Sequence, residues 1–151
     1  MIATLLLGGS FNSGKRQAVL ATGGDITEAG VYRVHTFTSS GSFDVSSGGL
    51  IDLLIVGGGG PGGNTEAQAD HGGAGGGGGG EVQYFAGYSV QAGMSYSVSI
   101  TDFSSEPGNP GYDSSWNGGE ITALGGGYGA SYGSGREEGE PGGDGGSGGG
   151  G

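Results

Sequence analysis

The chain has 151 residues, of which 44 are glycine and 13% are charged, and its 15 acidic and 4 basic side chains give a net charge of −11. So many residues without side chains leave one domain with a thin apolar core, for which oligomerisation is the expected support. The acidity excludes the basic footprint that nucleic acid or an anionic membrane requires, the absence of cysteine excludes disulfides and thiolate metal sites, and no apolar run approaches the ~20 residues needed for membrane insertion as a helix.

Residues 1–24 open with MIATLLLGG, which lacks a basic leading region; Lys15 and Arg16 come only after it, so a secretory signal is not expected. The apolar pieces 2–7 and 17–21, separated by GGSFNSGKR, predict a hairpin, an attachment arm or a simple extra strand. Within them Gly9 to Lys15 fits the phosphate-loop spacing G-x-x-x-x-G-K. Arg16 stands where a Mg²⁺-binding hydroxyl is needed, and no helix-forming segment follows, so a nucleotide cofactor is not expected.

Residues 25–124 have an all-β texture. VYRVHTFT from Val31, a turn at 39–42, SFDV, a turn at 46–49 and the apolar run LIDLLIV at 50–56 follow one another, with Asp52 the one interruption of the last. Val82, Tyr84 and Ala86 alternate on one face, as do Tyr96, Val98 and Ile100, with a turn at 91–93 between them; after a loop at 102–117 comes EITAL. Six or seven short strands predict a small antiparallel β-sandwich of jelly-roll type, and no helical periodicity competes with it. Gly57, Gly59 and Gly62 satisfy G-x-G-x-x-G after a strand, a match that a glycine run produces by chance.

Four glycine tracts, at 57–63, 72–80, 125–129 and 142–151, punctuate this pattern, and the last two belong to a glycine-rich C-terminal segment over 125–151. Glycine has nothing to bury, and fixing each backbone costs about 1–2 kcal/mol, so such tracts are either disordered linkers or are held by main-chain bonds to one another. In the ordered case they form polyproline II (polyglycine II) helices, rising about 3.1 Å per residue with every N–H and C=O directed outward. Four tracts suffice for a small bundle beside the sandwich.

The acidic groups Asp102, Glu106 and Asp113, and Glu137, Glu138 and Glu140, lack the loop pattern of a Ca²⁺ site or the rigid placing of a catalytic pair, and read as solvated loops. His35 falls inside a strand and His71 in a polar loop, which gives no nucleophile–base pair. No enzyme, metal or cofactor is expected. The loops between tracts carry Phe103, Asn109, Tyr112, Trp116, Tyr128 and Tyr132 among small polar residues. Flat aromatic faces beside Asn and Ser suit sugar rings and protein grooves, so these six are the candidate receptor-binding residues. The alternatives are that Tyr112 and Trp116 cap the sandwich end and that the glycine-segment tyrosines plug gaps in the bundle.

The ordered series YRVHTFTSSGSFDVSSG, LIDLLIVGGGGPGG, GGAGGGGGGEVQYFAGYSVQAGMSYSVSI and ITALGGGYG, over about residues 31–130, resembles the glycine-rich domain of bacteriophage tail and fibre proteins. The chain departs from that pattern at Ala92, where a turn proline is usual, and in ending on GGSGGGG where a closing apolar strand is expected, so a neighbouring subunit is a candidate source of that strand. The resemblance implies a virion protein on the particle surface, a tail, fibre or head-decoration subunit. Its implied partners are other virion proteins, further copies of itself, with a homotrimer favoured, and a host surface saccharide or protein; its implied work is adhesion without chemistry. A purely structural virion subunit is the main alternative. An ice-binding protein is the lesser one, because a three-residue period is not evident in tracts interrupted by acids.

Overall fold

The computed structural model describes residues 18–64, 73–101, 108–131 and 141–150, together with the backbone of 3–8. In chain order the strands are β1 (Ala3–Gly8), β2 (Leu20–Thr22), β3 (Asp25–Ala29), β4 (Tyr32–Phe37), β5 (Gly41–Ser47), β6 (Gly49–Val56), β7 (Val82–Val90), β8 (Ser95–Ile100), β9 (Ser114–Trp116) and β10 (Ile121–Ala123). They form two five-stranded sheets, β3-β4-β1-β6-β7 and β10-β9-β8-β5-β2. Every pairing is antiparallel. The expected all-β class and small sandwich are present.

Alternation builds the core. In β8 Tyr96, Val98 and Ile100 point inward while the serines between them face solvent, and β6 buries Ile51, Leu53 and Ile55 in the same way. With Phe37, Phe43, Val45, Trp116 and Ile121 they fill the space between the sheets. Full burial of each large apolar side chain contributes about 1.5–3 kcal/mol. Trp116 is the keystone, stacked on Tyr96 at 5.2 Å between ring centres and flanked by Phe43 at 5.7 Å and Tyr88, edge-on, at 6.0 Å.

Two strands escape the sequence pattern. All five residues of β3 are exposed, so no apolar alternation marks it. β9 is three residues long and was expected to be loop. Of the hairpin, arm and extra-strand readings of 2–7 and 17–21, the extra strand fits: β1 lies between β4 and β6 in one sheet, and β2 pairs with β5 in the other. Six-residue pairing with β4 is the stronger attachment for β1 than a short return strand offers.

Asp52, the polar interruption of β6, stands at a register shift between Ile51 and Leu53, opposite the bulge that Ala86 and Gly87 make in β7. Its Oδ1 accepts the Gly87 N–H at 3.0 Å, and Gly87 takes φ +71°, a conformation that glycine alone adopts at little cost.

Beyond the sandwich the glycine tracts continue four of its strands. Residues 57–63 run out of β6 and 73–80 return into β7; 124–131 run out of β10 and 108–113 lead into β9. The N–H groups of Gly57, Gly60 and Gly63 donate to the carbonyls of Glu81, Gly78 and Gly75 at 2.8, 2.9 and 2.9 Å. In turn the N–H groups of Gly75, Gly78 and Glu81 donate to Ala130, Gly127 and Leu124 at 2.9, 2.8 and 2.8 Å. Residues 124–131 close the triangle, Gly126 donating to Gly58 at 2.7 Å and Gly129 to Pro61 at 2.9 Å. Bonds to each neighbour recur every third residue, which is the repeat of a threefold extended helix. The absence of a three-residue period, on which ice binding was set aside in the sequence, is corrected here: the period lies in the main-chain bonding.

The 124–131 run is the hub. Gly127 and Ala130 donate to Ser147 and Gly150, and its Gly125, Gly126 and Tyr128 carbonyls accept from Gly146, Gly111 and Gly143. The last stretch doubles back, with 141–146 antiparallel to the hub and 147–150 parallel to it. At the hub's entrance two carboxylates take the place of carbonyls: Glu81 Oε2 accepts the Leu124 N–H at 2.9 Å and Asp113 Oδ1 the Gly125 N–H at 2.8 Å. At most of the glycines the spacing leaves no room for a side chain. A Cβ on Gly60 would stand 2.0 Å from the Gly127 carbonyl oxygen, and one on Gly63 1.7 Å from that of Ala130. Only at Gly73, Gly76 and Gly79, one row of the second run, does a Cβ point into open space within this run. One hydrogen bond contributes about 1 kcal/mol net, comparable to the cost of ordering a glycine, so a lone run is unstable and one bonded on several sides holds.

Candidate functional site

The lattice has a base and a far end. Gly57, Glu81 and Leu124 mark the base, where the strands begin, while Gly63, Gly75, Ala130 and Gly150 pack together at the other end. There the Ser131 hydroxyl accepts the Asn64 N–H at 3.1 Å. Two threefold turns separate Gly57 from Gly63, about 19 Å at the rise of this helix. The described residues that flank 65–72 and 132–140 therefore stand toward the far end of the lattice.

The six candidate residues are not gathered into one patch. Phe103 and Tyr132 lie outside the described residues. Asn109 and Tyr112 are exposed on the 108–113 run, and the Tyr112 carbonyl accepts the Gly58 N–H at 2.8 Å, so that ring is offered from a fixed backbone. Trp116 is corrected: it is 2% exposed and belongs to the core, because β9 is clamped between β8 and β10 with its alternate residues turned inward. Tyr128 is half-buried, with its ring over Gly143, where an added Cβ would stand 2.2 Å from Tyr128 Cε1.

The titratable groups are structural in their surroundings. His35 is 1% exposed and its ring meets Phe43 edge-on at 5.1 Å. Its Nδ1 lies 2.7 Å from the Gly23 carbonyl oxygen, which only accepts, so Nδ1 carries the hydrogen and the bare Nε2 faces the core without a partner. Burial lowers the imidazole pKa, the Gly23 bond opposes this and the Arg33 charge adds to it. The Tyr88 hydroxyl donates to Glu120 at 2.9 Å and Asn117 Nδ2 donates to the same carboxylate at 2.5 Å. These bonds hold Glu120 below its usual range. Among the described residues no three His, Cys, Asp or Glu side chains come together as metal ligands.

Between the sheets a cavity of about 20 Å³, lined by Phe37, Leu53, Ile55, Val98, Ile100 and Trp116 among others, has room for one water and no sugar. Sequence reasoning missed the hub itself; its signal was present in the three-residue spacing of Gly57, Gly60 and Gly63 against Gly75 and Gly78.

The fold and lattice define the class: an all-β two-sheet sandwich extended by a glycine lattice. Comparison with protein-family models, with curated proteins and with solved structures finds no match for the chain.

Proposed function

We propose that the chain is a bacteriophage virion subunit, of a tail, a fibre or the head surface, whose glycine lattice holds out receptor-contacting segments for attachment to a host saccharide or protein. The observation that carries this reading is that the residues flanking 65–72 and 132–140 stand at one end of a lattice whose main-chain bonds recur every third residue. A scaffold stiffened in this way fixes the points where 65–72 and 132–140 join it, and loops joined to a rigid scaffold are where recognition commonly resides. The work done is adhesion, with affinity from aromatic and short polar side chains and no bond made or broken.

The test replaces residues 65–72 and 132–140, separately and together, with Gly-Ser connectors of equal length, and follows binding of labelled protein to a panel of bacterial hosts. Folded variants that lose binding support the reading. Variants that bind as the parent does refute it.

A purely structural virion subunit is the second reading, favoured by the withdrawal of Trp116 into the core and the packing of the half-buried Tyr128 ring over Gly143. It predicts no binding of the parent to any host. Thermal hysteresis in purified protein would move the assignment to ice.

A further inference from the structure

We propose that Asn117 is a site of spontaneous deamidation that the fold holds latent: bonds to Ser97 and Glu120 keep the two reacting groups of the Asn117–Gly118 step apart, and the reaction begins when the β9–β10 turn opens. The inference rests on this turn and stands apart from the virion reading.

The turn itself selects the reactive pair. Asn117 takes φ +52°, Gly118 φ +69° and Gly119 φ +93°, left-handed conformations that glycine adopts freely and asparagine more readily than most side chains. Asparagine is a thermolabile residue, and the residue after it decides how easily it reacts. Of the four asparagines Asn117 alone is followed by glycine; Asn12 precedes Ser13, Asn64 precedes Thr65 and Asn109 precedes Pro110. Gly118 has no Cβ to shield its nitrogen from the neighbouring carboxamide, whereas the Pro110 nitrogen carries no hydrogen to give up.

The chemistry needs only the chain and water. The Gly118 nitrogen, its proton passed to hydroxide, attacks the Asn117 carboxamide carbon; a new N–C bond forms, the bond from that carbon to Nδ2 breaks, and ammonia leaves with a proton taken from water. The resulting succinimide then takes up one water, giving aspartate where the new bond is cleaved and isoaspartate where the original peptide bond is. Residues 117–120 are all exposed, so burial does not keep water from the turn.

Hydrogen bonds hold the reaction back. The Gly118 N–H donates to Ser97 Oγ at 2.8 Å, and Asn117 Nδ2 donates to Glu120 Oε2 at 2.5 Å. Glu120 is anchored in turn by the Tyr88 hydroxyl at 2.9 Å. Nucleophile and leaving group thus have different partners, and the attack requires both to be given up. Conversion replaces Glu120's amide donor with a second carboxylate, and isoaspartate lengthens the main chain between Trp116 and Ile121, the pair that closes the turn. β10 runs from there into the 124–131 hub, so the lattice loosens at its entrance, irreversibly once ammonia is lost.

The full chain is incubated in mildly alkaline buffer, folded and in urea, and conversion at each asparagine is followed by peptide mapping that separates aspartate from isoaspartate. Asn117 is expected to convert about tenfold or more slowly in the folded parent than in the unfolded one. Ser97→Ala and Glu120→Ala, each still folded by circular dichroism, should speed the folded reaction several-fold, while Asn109 stays intact throughout. Amide exchange at 121–126 should quicken as converted protein accumulates. Equal rates in folded and unfolded parent, no reaction at Asn117 in urea, or a folded Ser97→Ala or Glu120→Ala protein that converts no faster than the parent overturns the proposal; the first two comparisons need no variant to fold.

Discussion

Replacing Gly60 with alanine puts one methyl group where the lattice has no space, 2.0 Å from the Gly127 carbonyl oxygen and 2.6 Å from that of Gly126. Both obstacles are main chain and cannot rotate away, so the 57–63 and 124–131 runs must separate by an ångström or more. The bonds at risk are Gly60 to Gly78, Gly126 to Gly58 and Gly129 to Pro61. At about 1 kcal/mol each they amount to roughly 3 kcal/mol, offset by about 0.4–1 kcal/mol from the stiffer unfolded chain. A net loss of about 2–3 kcal/mol lowers the melting temperature by about 5–10 °C for a chain of this size. Gly79→Ala is the matched control, because a Cβ there meets nothing within 4 Å and its φ is not left-handed. It retains the entropic gain and raises the midpoint by about 1–3 °C. Urea and thermal unfolding of both variants, with amide exchange across 57–63 and 124–131, measure the difference. Equal midpoints for the two, with exchange unchanged, would refute the close-packed lattice.

Two further outcomes follow from single side chains. His35 holds a lowered pKa in the folded protein against an ordinary value of 6.5, so the unfolded chain takes up the proton first. Its contribution to stability is complete above about pH 6.5 and is lost as pH falls through that value toward the folded one; urea midpoints between about pH 7.5 and 5.5 should decline in the parent and flatten in His35→Phe. Asp52→Ala leaves the Gly87 N–H without its acceptor at the bulge and should cost about 1 kcal/mol, with faster exchange of that amide, whereas Asp52→Asn keeps an acceptor oxygen and most of the stability.

The sandwich was legible because Phe43 and Val45, and Tyr96 to Ile100, obey alternation and expose their direction in the sequence; the apolar run of β6 reads as buried on both faces, whereas only Ile51, Leu53 and Ile55 are buried. β3 was not legible, since a fully exposed edge strand has no buried face to write into its residues. Trp116 misled for a related reason. Among Ser, Asn and Gly it reads as a loop aromatic, and only the pairing of β9 with β8 and β10, contacts distant in sequence, draws it inside. Asp52 reads in isolation as a defect in an apolar strand; its purpose appears when Gly87, 35 residues away, is placed against it. The glycine tracts announce close approach of backbones, but their choice of neighbours, with residues 124–131 as the hub, depends on directions that glycine's missing side chains cannot encode.

A lattice with bonds at every third residue also quantises its own length. Insertion of three residues lengthens a run by one full turn, about 9 Å, and leaves the downstream groups aimed as before. One or two extra residues rotate everything beyond them by a third of a turn or two, so that donors intended for one neighbour face another. Growth or shortening of this rod is therefore expected in triplets, matched between the 57–63, 73–80 and 124–131 runs.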